Sequence, residues 1–395
     1  MSGRSVILFL PDDTKKIGSQ KPLFLQNISG TPLLKWLTYA LCAADVRRAF
    51  LACGPAFLAQ AEACFPPQIK VMTAQDENPA DLLHVFLSTA DEDEDEVLTV
   101  LGPAIYAPQL ATVDPGARPE AANACMISRE ALMDALDEEG SLTQFFRNRG
   151  KMRTDRDGFF SVRSLEDLAS WQPKLQQLRL RTLAQSGVEI WDYASTFVSP
   201  EAQIGLGTVL KPGTVIEGAT VIGYGGMIGP HTQLIDCRVG NHTSVNASRA
   251  VQTVIGSDAE VGPFANLRPG TVIGNHCKAG AFVELKNTKV CDTAQVPHLS
   301  YLGDAEVGAG ANIGCGTVTA NYDRVAKYPT QIEKDAFIGC NTSLIAPVKV
   351  GEGAYVAAGS VITEDVPAQA LGIGRSRQSN RREWALKNKK TEGTP

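Results

Sequence analysis

A chain of 395 residues, 44% apolar and 20% charged, has the composition of an ordinary globular protein and exceeds what one core usually organises, so two domains are expected. Its formal net charge of −6 argues against nucleic acid as the main partner, because a duplex binder normally presents a basic face. The nine cysteines (Cys42, Cys53, Cys64, Cys125, Cys237, Cys277, Cys291, Cys315, Cys340) are odd in number and include no C-x-x-C pair, which fits thiols in a reducing cytoplasm better than a disulfide framework or a structural zinc site.

Residues 5–10 (SVILFL) read as a buried strand. The apolar run Val6 to Leu10 is halted by Pro11-Asp12-Asp13 and is too short for a signal-peptide core or a membrane span. A helix is predicted from Thr31-Pro32-Leu33 to about Ala44, a strand over Arg48 to Cys53, a short helix over Phe57 to Cys64 and a strand over Gln68 to Thr73. Helix follows over Pro79 to Ser88 and strand over Val97 to Leu101, so the alternation predicts a parallel α/β sheet. The acidic run Asp91 to Glu96 reads as a solvated loop, since consecutive carboxylates repel one another. Ser164 to Ser186 has a helical pattern interrupted at Pro173 and is expected to link two domains.

Beyond Val188 the periodicity changes. Apolar residues recur every six positions at Val198, Ile204, Leu210, Ile216, Ile222, Ile228 and Leu234, and the phase returns at Ile255, Val261, Leu267 and Ile273. It is met again at Val307 and Ile313, then at Ile332, Ile338, Leu344, Val350, Val356 and Ile362. A hexapeptide repeat predicts a β-helix in which each repeat forms one flat face and the marked residue points inward. Glycine often follows the inward residue, as in Ile204-Gly205, Ile255-Gly256 and Ile313-Gly314, which predicts corners where the backbone turns without a crowded Cβ.

The stretch Pro297 to Lys327 joins a histidine, a tyrosine, two asparagines and a lysine to these repeats, and after Thr319 the repeat breaks into a loop carrying Asn321, Tyr322 and Asp323. A break in a rigid scaffold is a natural place for chemistry, so the active site is expected there. Four motifs surround it: Asn266 to Gly270 (NLRPG), Phe282 to Lys286 (FVELK), His298 to Asp304 (HLSYLGD) and Asn312 to Thr317 (NIGCGT). Together with the Asn321-Tyr322-Asp323 loop and Lys327, they resemble the acetyltransferase half of the bifunctional GlmU family, which is both glucosamine-1-phosphate N-acetyltransferase and N-acetylglucosamine-1-phosphate uridyltransferase. The resemblance covers about the last half of the chain.

What the resemblance implies is a left-handed parallel β-helix that works as a cytoplasmic homotrimer, acetylating glucosamine 1-phosphate from acetyl-CoA as co-substrate for UDP-N-acetylglucosamine, peptidoglycan and cell-envelope synthesis. The chemistry requires a deprotonated amine, a site for the sugar phosphate and stabilisation of an oxyanion. His298 matches the family's general base and Glu284 the carboxylate that orients it. Arg268, Lys286, Tyr301 and Lys327 match the groups around phosphate and sugar, and three cations meeting one dianion is a physical reason to find them together. Asn312 and Asn321 match sugar-binding positions, the latter with Tyr322 also close to the acetyl group. Cys315, Tyr322, Cys340, Ala358 and Arg375 match the acetyl-CoA groove, although the family commonly has alanine at the first of these cysteines and serine at the second. The basic tail (Arg375, Arg377, Arg381, Arg382, Lys387, Lys389, Lys390) offers charge to CoA phosphates or, beyond Arg382, is a disordered basic end. His84, His231, His242 and His276 read as ordinary surface or satisfied histidines; their spacing with His298 shows no pattern like the histidine metal site of β-helical carbonic anhydrases, and no metal is expected.

In the N-terminal domain, Lys21-Pro22-Leu23 and Ile28 to Leu34 resemble the segment after the phosphate loop of the family's nucleotidyltransferase, with its Rossmann-like sheet. The family's glycine-rich loop is replaced by Phe9 to Thr14 (FLPDDT), where two carboxylates and a proline repel phosphates and remove a donor. The magnesium ligands align with Pro103 and about Arg163, neither of which offers a side-chain oxygen. Lys21 and Asn123 persist. The domain is therefore expected to have lost uridyl transfer and to serve as a scaffold, a sugar-nucleotide sensor or a site for another substrate. Alternatives are a bifunctional enzyme in which Asp12 or Asp13 holds magnesium, and a non-enzymatic sugar-nucleotide binder. The expected boundaries are 1–163 for this domain, 164–187 for a linker helix, 188–366 for the β-helix and 367–395 for the tail; no membrane and no nucleic acid is expected as partner.

Overall fold

The computed structural model describes residues 4–74, 80–90, 94–111, 124–137 and 158–387. Pro79, residues 91–93, Asn123, Lys389 and Lys390, named above, lie outside these residues. The chain divides into two compact units, Met1–Cys237 and Arg238–Pro395.

The first unit opens on strand β1 (Arg4–Leu10), followed by helix α1 (Leu33–Ala43), β2 (Val46–Cys53), β3 (Lys70–Ala74), α2 (Ala80–Ser88), β4 (Glu96–Leu101), β5 (Ala124–Ser128) and α3 (Arg129–Asp137). These strands form one sheet in the order β3-β2-β1-β4-β5. Strand β1 is apolar at consecutive positions because both of its faces are covered. Val6, Leu8 and Leu10 enter one core with Leu51 and Leu37, while Ile7 enters another with Phe50, Leu83 and Phe86. The pairings of β1 with β2 and β4, and of β2 with β3, are parallel as expected, but β5 runs antiparallel to β4.

Helix α4 (Leu165–Gln185) is capped by Ser164, whose hydroxyl accepts from Asp167 N at 3.0 Å. The expected interruption does not occur, since Pro173 lies inside a continuous helix. A proline at an interior position costs about 3 kcal/mol, and burial of Leu168, Leu175, Leu180 and Leu183 offsets it. The helix also docks by polar bonds: the Gln176 side chain accepts from Val198 N at 3.1 Å and Arg179 donates to Ser199 O at 3.3 Å. Nearby, Lys35 and Glu201 form an ion pair of 2.7 Å with side chains only 19% and 11% exposed.

In the second unit, strands of two to four residues stack in parallel in three sheets, the pattern of a left-handed parallel β-helix. One column of inward residues runs Leu267, Leu285, Leu302, Leu344, another Ile255, Ile273, Val290, Val307, Ile332, Val350, and a third Val261, Val296, Ile313, Ile338, Val356, all buried. In the first unit the earlier members of the series are likewise buried, apart from Ile204, which is only half-buried. Glycine after the inward residue serves mainly close approach rather than turning. A Cβ on Gly256 would lie 2.5 Å from the backbone carbon of Gly274, and one on Gly314 would lie 2.5 Å from Ile338 O. Many of the left-handed corners themselves are held by non-glycine residues, among them Phe264, Phe282, Leu299 and Asp304.

Some turns are one residue short, as from Leu285 to Val290, but a larger departure falls where the sequence predicted a loop. Ala305 pairs with Thr330, and residues between Ala320 and Thr330 leave the rung, yet Thr330 then stacks on Val348 in the ordinary way.

Candidate active site

One sheet of the second unit stacks Asn266–Leu267, Glu284–Lys286, Tyr301–Gly303 and Val318–Ala320 in register. Because side chains alternate along a strand, turning the leucines inward directs their neighbours outward. Asn266, Glu284 and Tyr301 make one outward column, and Arg268, Lys286 and Gly303 the next; Arg268 N donates to Leu285 O at 2.9 Å and so continues the rung. Gly303 is the vacancy in the second column. A Cβ there would lie 2.5 Å from Tyr301 Oη and 2.9 Å from Asn321 Nδ2, so its absence lets these two polar groups meet over the rung.

Asp304 turns the next corner at φ 51° and gathers three donors. It accepts from Lys286 Nζ at 3.2 Å, from Asn287 Nδ2 at 2.8 Å and from the buried Asn321 side chain. Its carbonyl accepts Thr330 N at 3.1 Å, which fixes the far end of the loop. Burial works against ionisation, yet the hydrogen bonds from Asn287 and Asn321 and the charge of Lys286 hold its carboxyl below the usual carboxylate range. Asp304 closes the motif His298 to Asp304 but was not among the expected site residues; an acid directly after Gly303 is its signal in the sequence.

The loop is braced from within. Asp323 Oδ1 accepts from Val325 N at 2.8 Å and Ala326 N at 2.7 Å, Tyr328 N donates to Asn321 O at 2.9 Å, and Tyr322 Oη donates to Arg324 O at 2.8 Å. This brings Lys327 to the cation column. Its proximity to Lys286, through a shared hydrogen bond and then through charge, with Arg268 adding to the effect, lowers the Lys327 amine below the ordinary lysine range. The same hydrogen bond, followed by the contact with Asp304, raises Lys286. Arg268 pairs with Glu284 at 3.1 Å. The site thus crowds three cations against two carboxylates, an arrangement a dianion relieves.

His298 ends the strand Gln295–His298, stacked on Ala281, and is exposed at the corner that leads to Tyr301. Glu284, predicted as its partner, holds Arg268 instead. Asn312 is half-buried on the sheet of the His298 strand, beside Gln295, and not on the cation face. Counting from that register pair places Cys315 on the rung next to His298, and the pairs Ile313 with Ile338 and Ile338 with Val356 place Cys340 and Ala358 on the following rungs. Cys315 is half-buried, whereas Cys340 and Ala358 are exposed. Arg375 reaches the same strip, its Cδ 3.7 Å from where a Cβ on Gly359 would stand. Tyr322 is exposed on the loop.

The family description "Bacterial transferase hexapeptide (six repeats)" matches residues 329–364. The Bifunctional protein GlmU of Thermotoga petrophila is 46% identical over 231 residues, covering 58% of this chain and 52% of that protein. Over the matched residues, the chain is similar to GlmU proteins. That of Geobacillus thermodenitrificans is 52% identical over 208 residues, 52% of this chain and 45% of its own. The chain therefore spans about half the length of the curated GlmU proteins it matches. Among solved structures, the Francisella novicida UDP-N-acetylglucosamine acyltransferase covers 47% of this chain and 68% of its own at 16% identity and a TM-score of 0.28, a likeness on which nothing here rests.

The positions expected to answer to a nucleotidyltransferase site are engaged locally in the first unit. Asp12 accepts from Thr14 N at 3.0 Å and Thr14 Oγ1 at 2.6 Å, and Asp13 accepts from Leu23 N at 2.8 Å. Pro103 is buried with its carbonyl accepting Val162 N at 3.0 Å, and Arg163 N donates to Asp167 at 2.9 Å. Lys21 is exposed. Neither Pro103 nor Arg163 brings an oxygen-bearing side chain, so these residues do not fit magnesium. Among the described residues, no group of three or more His, Cys, Asp or Glu side chains is placed to hold a metal ion, and no helix is long and apolar enough to cross a membrane.

Proposed function

We propose that this chain moves an acetyl group from acetyl-CoA to the amine of glucosamine 1-phosphate and has lost uridyl transfer. The observation that carries the reading is the convergence of Arg268, Lys286 and Lys327 on one face, one corner away from a column that runs from His298 through Cys315, Cys340 and Ala358. The cations take the sugar phosphate, with Tyr301 and Asn321 against the sugar. The thioester lies along the cysteine and alanine rungs, where small side chains leave the backbone accessible, and Arg375 meets the CoA phosphates. His298 accepts the proton that the sugar nitrogen loses as it attacks the thioester carbonyl; the tetrahedral intermediate collapses, the C–S bond breaks and the CoA thiolate takes up a proton.

In this reading the protein is a cytoplasmic homotrimer that supplies UDP-N-acetylglucosamine synthesis for the cell envelope. Trimer formation has a physical motive, because a prism exposes flat faces and neighbouring copies can complete a groove. The test is thiol release from acetyl-CoA over a panel of amino sugars and their 1-phosphates. Release confined to a phosphorylated amino sugar supports the reading, and no release with any acceptor overturns it. Pyrophosphate release from UTP, magnesium and N-acetylglucosamine 1-phosphate would overturn the loss of uridyl transfer.

A further inference from the structure

Six lysines of the second unit have described side chains, and five of them hold a carboxylate. Lys278 pairs with Glu260, Lys286 with Asp304, Lys289 with Glu306, Lys334 with Asp335 and Lys349 with Glu333. Of these six, Lys327 alone has no acid within ion-pair distance. It lies beside Lys286 and Arg268, while Asp304, already engaged by Lys286, Asn287 and Asn321, acts on it only through its charge. Lys286 holds the Asp304 carboxylate at 3.2 Å, which leaves that acid committed to Lys286 and not to Lys327. Lys327 also lines an open cavity of about 460 Å³ with Asn287, Asp304 and Tyr328, which gives a small donor access to its amine. A lysine beside other cations is a recognised nucleophile, because their field favours its neutral form.

We propose that Lys327 is itself an acyl acceptor, which takes an acetyl group from a thioester and thereby switches down the anion site it belongs to. The Nζ lone pair attacks the thioester carbonyl, an amide N–C bond forms, the C–S bond breaks, and the proton lost from nitrogen passes to the departing thiolate. The product is an uncharged acetyl-lysine, leaving two cations where three met the phosphate. That the physiological donor is acetyl-CoA rests on the proposed function; the nucleophilicity of Lys327 does not.

The experiment treats the intact protein with S-acetyl-N-acetylcysteamine, a small thioester, and follows acetylation of each lysine by peptide mass spectrometry, with exposed, ion-paired Lys289 and Lys334 as internal references. Lys327 is expected to react severalfold faster than either, because a lowered proton affinity leaves more of its amine neutral. Inorganic phosphate should slow Lys327 alone, and Lys286→Ala should slow it by restoring its proton. Labelling of Lys327 no faster than Lys289, or rates indifferent to both phosphate and Lys286→Ala, overturns the proposal, since simple exposure would give that result. A parallel assay of thiol release from acetyl-CoA with glucosamine 1-phosphate separates the two claims. Fast Lys327 labelling without that release sinks the proposed function and leaves this inference standing; release with ordinary Lys327 reactivity does the reverse.

Discussion

Gly303→Ala tests whether the cation face is assembled by space as well as by charge. The added methyl would stand 2.5 Å from Tyr301 Oη and 2.9 Å from Asn321 Nδ2, against 3.4–4 Å for ordinary contact, so the hydroxyl must retreat by about 1 Å and the amide by about half that. Gly303 is not among the residues with positive φ, so alanine meets no backbone strain and the substitution reports on the side chains alone. A misplacement of about 1 Å in a positioned group can cost about a hundredfold in rate, or about 2.7 kcal/mol of transition-state stabilisation. The cost to folding should fall within the roughly 1–3 kcal/mol usual for overpacking, since the two nearest atoms are side-chain tips, one of them on the buried Asn321. Steady-state kinetics with acetyl-CoA and glucosamine 1-phosphate, beside urea unfolding, measure both. Wild-type kcat and KM in a folded Gly303→Ala protein would refute the claim that this gap positions Tyr301 and Asn321. Gly256→Ala is the control: its methyl meets backbone 2.5 Å away, so it should lower stability instead.

His298→Ala should reduce kcat by about 10²–10⁴ with little change in the KM of the acceptor, as loss of a general base does. Arg268→Ala should raise the KM for glucosamine 1-phosphate with little change in the KM for acetyl-CoA, which varying each substrate in turn reads directly. The depressed Asp304 carboxyl stabilises the fold above its ordinary pKa near 3.8, and this contribution is lost as pH falls through the lower folded value. Urea unfolding should accordingly show wild type more stable than Asp304→Asn at pH 6, with the difference shrinking in acid. Glu201→Ala should cost about 2 kcal/mol by leaving Lys35 without its acid, seen as an earlier unfolding midpoint.

The repeat half was legible because one physical rule governs it throughout. Inward positions recur every six residues, and Leu267, Ile273, Ile313 and Ile338 are buried where the phase put them. The break after Thr319 was legible for the same reason, since a strict period makes an interruption conspicuous. Pro173 was misjudged because local propensity was weighed without the packing of Leu168, Leu175 and Leu180 that overrides it. Strand β5 was not among the predicted elements, and its antiparallel direction depends on a partner remote in sequence. Asp304 escaped notice because its importance lies in the three donors that the coil and the loop deliver to it, from Lys286, Asn287 and Asn321. Likewise the pairing of Glu284 with Arg268 follows from adjacent rungs and not from any spacing along the chain.

The excursion between Ala320 and Thr330 leaves the stacking of Thr330 on Val348 untouched. Each turn answers only to its immediate neighbours, so a bulge of this kind is absorbed locally and does not propagate. This one segment can therefore be exchanged or lengthened at small risk to the folding of the repeats on either side of it.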